Sequence, residues 1–200
     1  MRPSCPRCLR PAEFCVCAGL APAPSRSRVV LLQHPREARL AICSARLTRL
    51  ALANAELRRG FAFEDDEQVA ALARRGAALL YPGPDAVPAV RLRSAPPEVL
   101  FVIDGTWVQA EKMLAANPRL AALPRVTLGA PATSGYGALR REPAPHCLST
   151  VEAVALVLGE LEGAPERYAP MRAAFRRMVE LQLACATGAR RSPRHRPARA

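Results

Sequence analysis

Four of the seven cysteines stand within thirteen residues of one another in the first part of the chain. They form a Cys-x2-Cys pair, Cys5 and Cys8, and a Cys-x-Cys pair, Cys15 and Cys17. Structural zinc takes four ligands in a tetrahedron, and thiolates at these spacings can supply all four. The sequence therefore predicts a small, closed zinc knuckle that holds a structural zinc ion. The alternative is a set of unliganded thiols in a frayed segment.

A second group of candidate residues follows the clearest buried strand, predicted over residues 98–103. This strand runs into the sequence Asp104-Gly105-Thr106-Trp107. Asp-Gly favours a turn, and a threonine followed three residues later by glutamine forms a capping box at a helix N-terminus. Local structure thus explains the aspartate and the threonine, but it does not explain why the chain's single tryptophan stands there. A catalytic role for this segment is the alternative.

A similar pattern begins at Leu148, where Ser149 and Thr150 open a predicted helix and Glu152 completes a capping box. Helix N-termini also bind carboxylates and phosphates, so a capping role and a binding role are compatible. One further polar residue, His34, follows a predicted strand and precedes a proline. It is either a turn histidine or a residue with a role in RNA binding or catalysis.

The elements that must position these residues alternate between strands and helices. Strands are predicted over residues 28–33, 77–81, 98–103 and 125–128, and helices over 38–58 (with Gly60 as cap), from 64–67 onward, 107–116, 150–161 and 166–186. Such alternation indicates an α/β domain with a mostly parallel sheet. Ligands of these sheets bind beyond the carboxyl ends of the strands, which is where both polar segments are expected.

The charge of the chain is strongly positive and unevenly distributed. Of 29 basic residues only one is lysine, 17 residues are acidic, and the net charge is +12. Residues 1–60 contribute +8, residues 61–188 contribute −1, and residues 189–200 contribute +5. Two basic segments around a near-neutral one indicate an anionic polymer such as RNA as partner. A compositional bias toward arginine is the alternative.

Several classes of protein are not expected. No apolar run approaches the ~20 residues of a membrane-spanning helix, and the first residues lack the apolar stretch of a signal peptide. An odd number of cysteines does not suit a disulfide framework, so we expect a reducing, cytoplasmic location. The nine aromatic residues argue against a stacking platform such as that of an RNA-recognition motif.

Taken together, the motifs resemble the DTW-domain family, named for its Asp-x-Thr-Trp signature. The resemblance covers most of the chain, and the order and spacing of the pieces make it specific. The pieces are Cys5-x2-Cys8-x-Arg10-Pro11-x3-Cys15-x-Cys17, Leu32-Gln33-His34-Pro35-x-Glu37, Leu80-Tyr81-Pro82, Ile103-Asp104-Gly105-Thr106-Trp107-x-Gln109-Ala110, Asn117-Pro118-x-Leu120, Leu123-Pro124, Tyr136-x3-Arg140-Arg141 and Leu148-Ser149-Thr150-x-Glu152-Ala153.

The resemblance implies a SPOUT-like α/β fold, a mostly parallel sheet with a C-terminal knot. We therefore expect residues 1–27 to form the zinc knuckle and linker, residues 28–188 the catalytic domain, and residues 189–200 a basic, disordered tail. We expect a monomer with no membrane segment.

The resemblance also implies an enzyme that modifies tRNA. Members of the family transfer the 3-amino-3-carboxypropyl group of S-adenosylmethionine to N3 of a uridine, here expected in the variable loop, and release 5′-methylthioadenosine. Two alternatives stay open: a SPOUT-like RNA methyltransferase that uses the same co-substrate, and a non-catalytic zinc-knuckle protein that only binds RNA.

Site residues follow from the same resemblance. The catalytic residues are expected to be Asp104 (as base or orienting group), Thr106 and Trp107. The cofactor-binding residues are expected to be Tyr81, Pro82, Asp104, Gly105, Trp107, Leu123, Leu128, Tyr136, Leu148, Ser149, Thr150 and Glu152. The RNA-binding residues are expected to be Arg36, Arg46, Arg140 and Arg141. The chain departs from the family pattern before Arg46, where Ile-Cys-Ser-Ala stands in place of a sequence such as Asn-Thr-Gly. Ser44 and Arg46 are the candidate site residues that remain in this segment.

Overall fold

The computed structural model of the chain describes residues 3–40, 43–130, 132, 134, 135 and 148–187. Three of the predicted site residues, Tyr136, Arg140 and Arg141, lie outside the described residues, and so does the predicted tail 189–200.

Six strands form a single sheet in which every pair of neighbours is parallel. The strands are β1 (Arg28–Gln33), β2 (Ala55–Arg59), β3 (Ala77–Leu80), β4 (Val87–Pro88), β5 (Val99–Asp104) and β6 (Arg125–Thr127), and their order in the sheet is β2-β1-β5-β3-β6-β4. The predicted α/β class with a parallel sheet is therefore confirmed. The two most apolar strands, β1 and β5, are neighbours in the interior of the sheet, where both faces are covered.

Helices cover both faces of the sheet. They are α1 (Ser44–Ala51), α2 (Glu67–Ala73), α3 (Trp107–Ala115), α4 (Pro118–Ala121), α5 (Thr150–Glu162) and α6 (Ala169–Ala186), and short 3-10 helices span Ala12–Phe14, Glu37–Arg39, Ala89–Leu92 and Pro165–Tyr168. Within the described part of the chain, no helix combines the length and the apolar content that crossing a bilayer requires.

Alternate residues of the central strands pack into two cores. Leu31 and Leu100 face the core built with α1, α5 and α6. Leu32 and Phe101 face the core built with α2, α3 and α4. Burial on both faces explains why these strands are continuous apolar runs rather than alternating ones.

The helix predicted over residues 38–58 is wrong at both ends: α1 begins only at Ser44, after the 3-10 helix Glu37–Arg39. The helix ends at Ala51, and residues Ala55–Arg59 form β2, the edge strand that pairs with β1. Gly60 does not cap a helix: its N–H donates to the carbonyl of Gln33 (3.1 Å) and so continues the contact with β1. Leucines spaced at helical intervals also satisfy a short helix followed by a half-buried edge strand, and the periodicity alone does not separate the two.

The cysteine-rich segment packs onto the main core. Phe14, Val16 and Leu20 are buried in the same cluster as residues of α5 and α6. The division at residues 27 and 188 stays a prediction.

Candidate active site and cysteine cluster

The carboxylate of Asp104 lies at the carboxyl end of β5 and is held from two sides. Its Oδ1 accepts a hydrogen bond from the Thr150 hydroxyl at the start of α5 (2.6 Å), and its Oδ2 accepts one from Nε2 of Gln33 at the end of β1 (2.8 Å). Asp104 is buried. The structure thus brings together the two predicted motifs, Asp104 to Trp107 and Ser149 to Glu152, at one edge of the sheet.

Gln33 is a site residue that the sequence prediction missed. It pairs directly with Asp104 across the parallel β1–β5 ladder, and its side chain is fully buried (0% exposed). Besides the bond to Asp104, Nε2 lies 3.1 Å from Sγ of Cys43, the residue before α1. Within the described part of the chain, the Gln33 Oε1 atom has no hydrogen-bond partner. The available signal was a polar residue that closes an otherwise apolar strand.

Two capping boxes fix the helices that flank this carboxylate, as predicted. At α3 the Thr106 Oγ1 accepts from the Gln109 N–H (3.3 Å), and Gln109 Oε1 accepts from the Thr106 N–H (2.7 Å). At α5 Ser149 and Glu152 form the same reciprocal pair (3.3 and 3.1 Å). These residues therefore cap the two helices, as the sequence predicts. Because they lie close to Asp104, they could also bind a ligand without losing this capping role.

Glu152 also reaches beyond the capping box. Its Oε1 accepts from the N–H of Gly135 (2.8 Å), while its Oε2 accepts from the Ser149 hydroxyl (2.6 Å). A Cβ atom on Gly135 would come within 2.8 Å of that Oε1. The absence of a side chain at Gly135 therefore allows this segment to approach α5.

Trp107 and Tyr81 form an aromatic pair beside Asp104. Their ring centroids are 5.7 Å apart in an edge-to-face arrangement, and residue Trp107 remains 38% exposed. The Arg125 guanidinium lies 5.4 Å from the centre of the Tyr81 ring and donates to the carbonyl of Pro82 (3.1 Å). Burial and the nearby Glu111 carboxylate raise the pKa of Tyr81, so its hydroxyl stays protonated at neutral pH.

The other predicted site residues are more scattered. Leu123 packs against the core on the α3 side of the sheet and Leu128 against the core on the α5 side. Leu148 is half-buried directly before the α5 cap. Arg36 is exposed and Arg46 is half-buried in α1. Their predicted roles in cofactor and RNA binding stay predictions.

The four cysteines of the N-terminal segment converge. Sγ of Cys5 lies 3.9 Å from Sγ of Cys17, and Sγ of Cys8 lies 3.9 Å from that of Cys15. All four sulfurs are within 4.8 Å of one another. A tetrahedral zinc site with metal–sulfur distances of ~2.3 Å would place its sulfurs about 3.8 Å apart, so the donor set and its dimensions fit zinc.

The surroundings of the cluster act differently on its thiols. Leu9, in the left-handed region at φ 59°, donates its N–H to the Cys5 carbonyl (2.9 Å) and closes the turn that contains Cys8. Hydrogen bonds from the backbone of Cys8 and Arg7 lower the pKa of Cys5 to about 6. Burial and the neighbouring thiols raise the pKa of Cys17. Burial likewise raises the pKa of Cys15, so Cys15 and Cys17 resist ionisation on their own, and binding of a metal ion would have to displace their protons.

Comparison with known proteins relates this geometry to a family. Residues 2–183 match the DTW domain. The chain belongs to the DTW domain family. The Asp104-to-Trp107 segment lies at the carboxyl end of β5 in this member of the family. No solved structure matches the chain.

Named relatives support the same assignment. The chain is 37% identical over 174 residues to tRNA-uridine aminocarboxypropyltransferase 2 of Drosophila melanogaster, an alignment that covers 82% of this chain and 69% of that protein. It is 32% identical to the protein of that name in Mus musculus, over 80% of this chain and 57% of the relative. It is 29% identical to tRNA-uridine aminocarboxypropyltransferase A of Arabidopsis thaliana, over 80% and 73%. The DTW chain thus spans between about half and three-quarters of the length of these relatives.

Proposed function

We propose that this DTW protein is a tRNA-uridine aminocarboxypropyltransferase. It transfers the 3-amino-3-carboxypropyl group of S-adenosylmethionine to N3 of a uridine in tRNA, and a uridine of the variable loop is the proposed target. The proposal is supported by membership of the DTW domain family and by the names of relatives that are 29% to 37% identical. The observation that carries it is the buried Asp104 carboxylate, held by Gln33 and Thr150 where a parallel sheet binds its ligands.

The proposed reaction is a displacement at carbon. Uridine N3 loses its proton to solvent water and then attacks the carbon that joins the aminocarboxypropyl chain to sulfur. The new nitrogen–carbon bond forms as the carbon–sulfur bond breaks, and the electron pair of the broken bond stays on sulfur in 5′-methylthioadenosine. Because the sulfonium has three activated carbons, the outcome depends on which of them faces N3. The contribution of the protein is therefore mainly positioning.

Asp104 is better suited to orient than to take a proton. Each of its oxygens accepts a hydrogen bond from a neutral donor, Thr150 on one side and Gln33 on the other. Accepting the N3 proton would require exchange of one of these bonds. We therefore assign Asp104 to fixing the Thr150 hydroxyl and the start of α5, rather than to general base catalysis.

The residues around Asp104 fit a co-substrate that carries a carboxylate and an aromatic base. The N-terminus of α5, thirteen residues long, offers backbone N–H groups and a favourable dipole to the carboxylate. The exposed face of Trp107 offers a surface to the adenine ring. Tyr81, Pro82, Gly105, Leu123, Leu128, Leu148, Ser149, Thr150 and Glu152 remain the proposed neighbours.

The finer structural expectations are proposals as well. A SPOUT-like arrangement with a C-terminal knot is proposed from the family resemblance, supported by the all-parallel sheet. A structural zinc ion is proposed in the cysteine cluster, where it would hold residues 5–17 together. A reducing, cytoplasmic location is proposed because the four thiols must stay reduced to bind it. A monomer that binds tRNA through Arg36, Arg46, Arg140 and Arg141 completes the proposal.

The test is a reaction with defined products. Purified protein is incubated with unmodified tRNA and S-adenosylmethionine, and nucleosides and small molecules are identified by mass spectrometry. The aminocarboxypropyl-modified uridine and 5′-methylthioadenosine are expected in equal amounts. S-adenosylhomocysteine and a methylated nucleoside would instead identify a methyltransferase, and binding of tRNA with no product would identify an RNA-binding protein.

The Thr150 hydroxyl provides a matched pair of variants. Thr150→Val removes the hydrogen bond to Asp104 with little change of shape, whereas Thr150→Ser keeps the hydroxyl. We expect turnover to fall by at least about tenfold in the valine variant and to stay near that of the wild type in the serine variant. Equal turnover in both variants would contradict the role assigned to the Asp104–Thr150 contact.

A further inference from the structure

Two rings lie next to each other where β1 and β2 end, and the proposed function gives neither of them a role. Phe61 follows β2 and His34 follows β1, and their centroids are 5.9 Å apart with planes at 82°. Phe61 is 40% exposed. The Nδ1 atom of His34 accepts the N–H of Arg36 (3.2 Å), which fixes the imidazole and leaves Nε2 as its donor.

The segment that carries the phenylalanine is held rigidly. The buried Asn117 donates to the carbonyl of Phe61 (2.9 Å), accepts the N–H of Phe63 (2.5 Å) and donates to the carbonyl of Met113 (2.6 Å). Gly60 packs so closely on the Phe63 ring that a Cβ atom would lie 2.8 Å from it. Because the buried Asn117 fixes the backbone from Phe61 to Phe63, the partly exposed Phe61 ring is already in position to receive a ligand.

The ring pair is tied to the candidate active site through the backbone. The N–H of His34 donates to the carbonyl of Asp104 (2.9 Å), and the N–H of Gly60 donates to that of Gln33 (3.1 Å). Strands β2, β1 and β5 are consecutive in the sheet, so the end of β2 lies two strand spacings, about 10 Å, from the end of β5. The rings and Asp104 therefore share one edge of the molecule.

Three exposed arginines stand within five residues of the rings in the sequence, and the half-buried Glu37 and the acidic run 64–67 stand nearby. Arg36, Arg39 and Arg59, which adjoin the two rings in sequence, are exposed. Within the described part of the chain, none of the three pairs with a carboxylate. Aromatic faces beside unpaired arginines match a nucleic acid strand, whose bases stack while its phosphates meet the cations.

We propose that Phe61 and His34 form a base-stacking surface that holds a nucleotide of the tRNA next to the uridine being modified. The proposal rests on the proposed function for the identity of the RNA. Phe61 supplies a flat apolar face, His34 supplies a second ring and the Nε2 donor, and the neighbouring arginines contact phosphate. This is a single pair of rings at the ends of two strands, not the broad sheet-face platform that the low aromatic content argues against. The surface lies beside the Trp107–Tyr81 pair, which is left to the co-substrate.

The test separates recognition of bases from recognition of the backbone. Binding of an eight-nucleotide oligouridylate is compared with that of an oligomer of the same length that lacks bases, for the wild type and for Phe61→Leu and Phe61→Tyr. We expect Phe61→Leu to weaken oligouridylate binding by about 5- to 100-fold and to leave binding of the abasic oligomer unchanged. Phe61→Tyr should behave like the wild type, and so should Val90→Ala, which changes an exposed apolar residue on the 3-10 helix Ala89–Leu92.

Other outcomes overturn the proposal. If Phe61→Leu weakens binding of both oligomers equally, or of neither, then Phe61 does not stack on a base. Unfolding curves are measured for each variant, to check that it is folded under the conditions of the binding assay. Because this assay contains no S-adenosylmethionine, it is independent of the proposed reaction. Transfer activity in the wild type together with base-independent binding would refute the surface alone, and base-dependent binding without transfer would refute the enzyme alone.

Discussion

A buried carboxylate is tolerated at the end of β5 because its surroundings supply donors. An ionised side chain removed from water costs several kcal/mol unless it is hydrogen-bonded. Hydrogen bonds from Gln33 and Thr150, which lie on two different elements, offset this cost for Asp104. The two donors fix both carboxylate oxygens, and with them the positions of Gln33 at the end of β1 and Thr150 at the start of α5.

The contribution of Gln33 can be measured by removing its amide. Gln33→Leu leaves Asp104 without the Nε2 donor in a fully buried position. We expect the free energy of unfolding to fall by about 1–3 kcal/mol, measured by urea denaturation, and turnover to fall with it. Gln68→Leu, which removes an exposed glutamine that contacts Arg58, should change either quantity little. Wild-type stability in Gln33→Leu would show that the contact to Asp104 is not stabilising.

The same residue shows what the sequence could and could not predict about the site. Asp104, Thr106 and Ser149 carry local signatures, a strand end and two capping boxes, so local chemistry identified them. The role of Gln33 depends on β1 being the neighbour of β5 with Gln33 paired to Asp104. The order and register of strands far apart in the chain are not encoded in local periodicity.

At the scale of elements, the prediction succeeded for the buried strands and failed at an edge. Strands β1 and β5 are continuous apolar runs because both of their faces are covered, and this pattern is distinctive. Strand β2 is an edge strand with a mostly half-buried surface, and its leucine continued the spacing of α1. What separates α1 from β2 is the pairing with β1, a tertiary contact.

The start of α2 illustrates a prediction from local chemistry that is confirmed. The acidic run 64–67 was expected at a helix N-terminus, and Asp66 is the N-cap, accepting from the N–H groups of Gln68 and Val69 (both 3.0 Å). The bond from Val69, followed by the charge and the hydrogen bond of Arg58, lowers the pKa of Asp66 below its usual 3.8, against the opposing effect of burial.

This lowered pKa predicts a pH-dependent contribution to stability. Because the carboxylate has a lower pKa in the folded state than in the unfolded chain, its contribution is present above pH 3.8 and is lost as the pH falls through the folded-state pKa. Asp66→Ala should therefore reduce the free energy of unfolding by about 1 kcal/mol at pH 7 and by progressively less below pH 4. Urea titrations across that range measure the difference. Asp65→Ala, an exposed neighbour, is the control that should show no such trend.

At the scale of the molecule, the uneven distribution of the net charge of +12 along the sequence can be tested segment by segment. The near-neutral stretch from 61 to 188 contains the Asp104 and Ser149 motifs, and the basic segments stand before and after it in the sequence. Deletion of residues 189–200, which carry five arginines, should weaken tRNA binding. It should also reduce the slope of log affinity against log salt by up to about five units, or one to three if only part of the segment contacts phosphate.

The control for that deletion keeps the length of the segment and changes only its charge. Replacing its five arginines with glutamine should reproduce the reduced slope, and binding of S-adenosylmethionine should stay unchanged in both variants. If the deletion leaves the slope of log affinity against log salt unchanged, residues 189–200 do not contact the RNA.

The cysteine cluster makes a separate prediction for the whole molecule. Protein purified under reducing conditions without chelators should contain about one equivalent of zinc. Cys8→Ser should lose the metal and lower the Tm by more than about 5 °C, because residues next to the cluster are part of the main core. Cys43→Ala, which lies outside the cluster, should retain the metal. Metal analysis and thermal unfolding measure both effects, and metal-free wild-type protein would disprove the site.

The shared core of the cysteine segment and α6 also constrains the order in which the chain can mature. Phe14, Val16 and Leu20 are made early in translation, and Met178 and Leu181, buried in the same cluster, are made late. The cysteine segment is therefore synthesised well before α6, and its buried apolar residues lack part of their core until α6 has been made. A nascent chain stalled before that point would display Phe14 and its neighbours to chaperones and proteases. The burial of this segment is thus completed only after α6, which is far from it in the sequence, has been synthesised.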